Sequence, residues 1–168
     1  ARIKEMTPLN DCKKNKLIVP SSTFTSKEIT ISKDNLATIE QILSSGNGLI
    51  ICGRLTSNEQ VGFTNNLAIL AEKLNSPILV DPLSNLRFTN DLEPYAIYNY
   101  DLFLKPEQQS HYKIRLPDWV IRFGQFPVSK SLMQFLQNLS SESILINSFG
   151  DKLDPIHKTT LFFHSLPA

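Results

Sequence analysis

The stretch that decides the fold is "GLIIC", residues Gly48 to Cys52. Alternate side chains of a strand point to opposite faces, and here both sets are apolar, so neither face is suited to water. Such a run fits a strand covered on both sides, as in a parallel sheet between layers of helices. "PILVD" (77–81), "WVIRF" (119–123) and "SILIN" (143–147) read the same way, and "TTLFF" (159–163) is a candidate fifth strand. The expected sheet core is Ile50, Ile51, Ile78, Leu79, Val120, Ile121, Leu145 and Ile146.

Between these runs the apolar period lengthens to that of a helix. Leu36, Ile39, Ile42 and Leu43 recur behind the capping candidates Ser32 and Asp34, and "SSGNG" (44–48) ends the run. Ser57 with Gln60 makes a capping box ahead of a stripe formed by Val61, Leu67, Leu70, Ala71 and Leu74. A short helix is expected over 95–104 and another over 130–139. Strands alternating with helices predict an α/β fold with right-handed crossovers. The expected architecture is a doubly wound, mostly parallel, Rossmann-like sheet of five or six strands with helices on both faces.

Residues 1–31 mix charge, Asn and Pro without a clear period and read as a linker from an upstream domain. Residues 32–168 read as one α/β domain. The absence of an initial methionine points to a fragment of a larger protein.

Composition narrows the setting further. The chain has 168 residues, 41% hydrophobic and 20% charged, enough for one domain with a real core. Seventeen Lys and Arg against sixteen Asp and Glu give a net charge of +1. With no basic cluster, neither nucleic acid nor a charged membrane surface is indicated as a partner. The apolar runs are far below the roughly 20 residues that span a bilayer, so no membrane insertion is expected. Cys12 and Cys52 stand alone, and His111, His157 and His164 have no metal-ligand spacing. A reduced, cytoplasmic compartment is the simplest reading.

In a doubly wound sheet, ligands gather at the carboxyl ends of the strands. Three loops leave such ends: "GRLTSNE" (53–59), "DPLSNLR" (81–87) and "GQFPVSK" (124–130). No GxGxxG, Walker loop or GxSxG elbow accompanies them.

"PILVDPLSNLR" together with "VIRFGQFPVSK" resembles the central domain of the 2-succinyl-5-enolpyruvyl-6-hydroxy-3-cyclohexene-1-carboxylate synthases, thiamine-diphosphate enzymes of menaquinone biosynthesis. "GLIICG", "YNYDLFLK" and "DKLDP" fall in the order this resemblance requires. It implies a three-domain enzyme that joins decarboxylated 2-oxoglutarate to isochorismate. The N- and C-terminal domains of the same chain, and a homodimer or homotetramer, are then the partners.

Thiamine diphosphate and magnesium are the implied cofactors of the full-length enzyme. The family's diphosphate motif begins Gly-Asp-Gly and ends in paired asparagines, whereas this chain has only Gly150-Asp151-Lys152. No catalytic residue, metal or bound cofactor is therefore expected in this fragment, and alone it should be inactive.

The same resemblance gives the loops their expected roles. A helix N-terminus attracts carboxylates, and a lysine in its first turn adds a full charge. Lys130 is so placed, with Ser129 as cap, and both are expected on the substrate side. Some family members carry a second basic residue after the lysine, where this chain has Ser131. The competing reading makes Lys130 a solvated helix residue and Pro127 a turn former.

Asp81 reads as a strand terminator and Asn85 as a turn residue tolerant of unusual backbone angles. Arg54 and Arg87 form a candidate anion or regulatory site, with a structural role favoured for Arg87. Some family members receive a downstream naphthoate as feedback inhibitor. Two alternatives stay open: a stand-alone nucleotide- or small-ligand-binding α/β module, and a purely structural or regulatory domain.

Overall fold

The computed structural model describes residues 32–55, 62–87, 89–149 and 152–165. The linker expected over 1–31, and the capping pair Ser57 and Gln60 with Val61, lie outside them.

The first helix, α1 (Lys33–Leu43), starts where a capping residue allows it, the Ser32 hydroxyl accepting from Asn35 N at 3.3 Å. Its stripe is only partly used. Ile39 is buried, Ile42 and Leu43 pack at the margin, and Leu36 stands 44% exposed. Strand β1 (Gly48–Cys52) follows, buried at every residue. Next come α2 (Phe63–Leu74), which buries Phe63, Leu67 and Ala71, and β2 (Ile78–Val80).

The helix expected over 95–104 needs correction. Ala96–Ile97 forms a strand, β3, and helix begins only at Asp101, as α3 (Asp101–Leu104) followed by α4 (Pro106–Tyr112). The cause is tertiary. The outer edge of β2 needs hydrogen-bond partners, and Ile78 N finds one in Tyr95 O at 2.9 Å. A two-residue strand is too short to show a period of its own.

Beyond a further loop come β4 (Trp119–Phe123), α5 (Lys130–Gln137), β5 (Glu142–Asn147) and β6 (Leu161–His164). The six strands are ordered β3-β2-β1-β4-β5-β6. Every pairing is parallel, with Ile50 beside Ile78 and Ile51 beside Leu79.

Strand parity sorts the core into two layers. Ile50, Ile78, Ile121 and Ile144 pack beneath α1 and α2, while Leu49, Ile51, Leu79 and Val120 pack beneath α3 and α5. All eight side chains expected in the sheet core are buried. Each contributes roughly 1.5–3 kcal/mol relative to exposure. Both faces are filled, so the chain is a doubly wound sheet whose candidate site loops lie at one end.

Candidate functional site

The direction of winding reverses between β1 and β4, and the crevice outside that point is where such sheets usually bind nucleotides. Here the segments that follow β1 and β4 leave the sheet in main-chain contact. Gly53 N donates to Phe123 O at 2.9 Å, and Gln125 N to Arg54 O at 3.0 Å. A Cβ at Gly53 would lie 1.7 Å from Gln125 O, and one at Gly124, where φ is +74°, would lie 2.4 Å from Arg54 O. The glycines are there because backbone passes against backbone. A pyrophosphate would have to displace these contacts, which argues against a nucleotide-binding module.

The loop between Gly124 and Lys130 is held from several sides. Gly124 N donates to Ile146 O at 3.1 Å, which fixes its start against β5. Farther along, Val128 N donates to Asp81 Oδ2 at 3.0 Å, across 47 positions of sequence. Asp81 is 1% exposed, and its other oxygen accepts from Leu83 N at 2.9 Å. The Tyr100 hydroxyl approaches Asp81 Oδ2 at 3.5 Å. Burial first, then the neighbouring Asp81 and Asp101 charges, push the Tyr100 phenol well above its ordinary range.

Ser129 is buried and caps α5, its Oγ accepting from Leu132 N at 3.0 Å. The same hydroxyl donates to Asp101 Oδ1 on α3. Lys130 is the first residue of α5 and is exposed. The expected cap is therefore present, and the ammonium group stands at a helix start whose backbone is fixed from both sides.

Beneath the loop lies a charged pair that sequence reasoning missed. Arg122 projects from β4 on the face of Val120 and meets Asp154 Oδ1 at 3.1 Å, with both side chains 3% exposed. Its Nη2 also donates to Thr159 Oγ1, and Asp154 Oδ2 accepts from Thr159 N at 2.6 Å. The guanidinium lies 5.1 Å from the Phe126 ring centre. Burial pulls the Arg122 pKa down against the opposing pull of Asp154. For Asp154, burial raises the pKa, but the Thr159 hydrogen bonds and the Arg122 charge outweigh it and hold the carboxyl below its ordinary range.

Phe126, Gln125 and Asp154 also line an open recess of about 510 Å³ with Lys152, Leu153 and Pro155. The pair thus supports both the sheet and the floor of the loop. Its sequence signals were an arginine inside an otherwise apolar run and the aspartates of "DKLDP".

The other expected residues are more scattered. Arg54 is exposed beyond β1. Arg87 is half-buried; its Nη2 donates to Tyr98 O at 3.0 Å, while Nε is buried without a partner among the described residues. Asn85 takes φ 62°, as a turn residue of its type can. An apolar cavity of about 310 Å³, lined by Leu49, Leu79, Phe103, Phe135 and others, lies near Gly48 and Pro77, at the amino ends of the strands.

Among the described residues, no three His, Cys, Asp or Glu side chains gather as metal ligands. No helix there is long and apolar enough to cross a membrane. No chemical step is assigned to thiamine diphosphate or magnesium among these residues.

Comparison with known proteins bears on the whole chain. A family model described as the middle domain of thiamine pyrophosphate matches residues 11–167. A 2-succinyl-5-enolpyruvyl-6-hydroxy-3-cyclohexene-1-carboxylate synthase of Geobacillus thermodenitrificans is 35% identical over 153 residues, covering 90% of this chain and 25% of the relative. Proteins of the same name from Dechloromonas aromatica and Bacillus cytotoxicus are 32% and 35% identical over 134 and 148 residues. These alignments cover 79% and 87% of the chain and 24% and 23% of those relatives. The chain spans about a quarter of the length of the curated relatives it matches.

Proposed function

The chain belongs to the family of thiamine pyrophosphate middle domains carried by the 2-succinyl-5-enolpyruvyl-6-hydroxy-3-cyclohexene-1-carboxylate synthases, and on that premise we propose that it serves as the central domain of such an enzyme. The whole protein joins decarboxylated 2-oxoglutarate to isochorismate, using thiamine diphosphate and magnesium held by its other domains. Residues 1–31 lead in from the preceding domain, and the enzyme works in the cytoplasm as a homodimer or homotetramer.

Within it, this domain offers the loop ending in Ser129 and Lys130 to a substrate carboxylate. The observation that carries this role is the tethered loop. Its backbone is bound to Asp81 and its cap to Asp101, so the exposed Lys130 charge stands at a fixed helix N-terminus. Both substrates are polycarboxylates, which a cation at a helix start favours.

The test uses the full-length protein and the chain side by side. The full-length protein should consume 2-oxoglutarate and isochorismate only when thiamine diphosphate and magnesium are supplied. Calorimetry of the chain alone with the same cofactors should give no saturable heat. Micromolar binding to the chain would mean that it contains the cofactor site, and the assignment as a central domain would fall.

A second reading concerns regulation. Arg54, exposed beyond β1, and Arg87, half-buried after β2, would each offer a charge at the strand ends to a naphthoate carboxylate. Titration of the full-length protein with 1,4-dihydroxy-2-naphthoate should then show binding that Arg54→Ala and Arg87→Ala each weaken about tenfold, the loss of one charge-assisted contact. Equal affinity in all three proteins would remove the site.

A further inference from the structure

We propose that Asp81 is a positioning residue that holds Lys130 in place without touching the substrate, an inference that rests on the role just given to the Lys130 loop. Sequence alone makes Asp81 a strand terminator; the structure gives its carboxylate two loops to hold. One oxygen takes Leu83 N, which turns the chain after β2, and the other takes Val128 N from the loop after β4. The carboxylate is 1% exposed, and burying such a group is costly unless N–H donors replace its water.

Val128 shows why the bond is needed. Its side chain is 61% exposed, so packing does little to hold it. Pro127 has no N–H to give. The Val128 N–H to Asp81 is thus the main-chain tether just ahead of α5, and the Ser129 hydroxyl on Asp101, at the cap itself, is the other. Together they join β2 and α3 to the first turn of α5. A carboxylate suits this place because each of its oxygens accepts. An amide has one accepting oxygen and would leave one of the two N–H groups facing an NH2.

The test is a cycle in the full-length enzyme with Asp81→Asn and Lys130→Ala. Asp81→Asn should raise KM about tenfold for the substrate that Lys130→Ala affects, the loss expected for one hydrogen bond to a charged acceptor, with kcat within about twofold. In the Lys130→Ala background it should add nothing further, because the residue it positions is gone. Amide exchange at Val128 should also quicken in Asp81→Asn.

The same factor in both backgrounds, or a loss in kcat with KM unchanged, would overturn the positioning role while the loop's substrate contact stood. A silent Lys130→Ala would overturn the contact and this role together. Should Asp81→Asn fail to fold, Val128→Pro takes its place in the cycle. It removes the N–H that Asp81 accepts, and additivity there would equally overturn the proposal.

Discussion

Asp154→Ala is expected to destabilise the domain by about 3–5 kcal/mol, the cost of removing one partner from a buried ion pair. Arg122 would keep its charge in a site 2% exposed, beside the Thr159 hydroxyl and the Phe126 ring. Thr159 N would lose its acceptor as well. For a domain of this size the loss corresponds to a fall in Tm of roughly 6–20 °C.

Adding Arg122→Met should recover much of the loss, since an apolar chain needs no counter-charge. The pH dependence has a definite sign. The carboxyl of Asp154 is held below its ordinary range, so its contribution is present above the unfolded-state value of about 4 and fades as pH falls below it. Wild type and Asp154→Ala should therefore converge in acid. Thermal unfolding at neutral pH is the measurement, and a shift under about 2 °C would mean that the pair adds little to this fold.

Lys130→Ala should lower kcat/KM of the full-length enzyme on the order of 10- to 100-fold. A hydrogen bond to a charged group contributes roughly 1.5–3 kcal/mol, and about 1.4 kcal/mol is a factor of ten. Stability should hardly change, because the side chain is exposed and the cap of α5 is Ser129. Lys73→Ala is the control. Lys73 is also exposed, but it lies in the last turn of α2, away from the strand ends that carry the loop. Wild-type kinetics for both substrates in Lys130→Ala would reduce the loop to a turn.

What the sequence disclosed follows from the range of each signal. The strands were legible because "GLIIC" and "WVIRF" bury both faces, which leaves nearly unbroken apolar runs. The caps at Ser32 and Ser129 were legible because they act within three residues. β3 was not legible. Two residues show no period, and Ala96–Ile97 is a strand because the edge of β2 recruits it.

The site divided along the same line. Lys130 and Ser129 could be picked out from their place at a helix start and from family resemblance, whereas the tethers could not. Asp81 reaches Val128 across 47 positions, and Arg122 reaches Thr159 across 37. A single sequence carries no mark of which distant partner such a group will meet. Arg122 did leave a trace, since a charge within a buried strand requires a counter-charge. "DKLDP" held it.

Among the described residues the sheet ends in two edge strands, and they are unequal as templates for another chain. β3 is two residues long, too short to guide much pairing, as is common where a protein limits growth at its border. β6 presents four residues, with Leu161, Phe162 and Phe163 only half-buried. Self-association of the separated domain should therefore begin along β6, by strands adding edge to edge. A charge placed at Phe162 should delay clouding of a concentrated solution more than the same charge at Ile97.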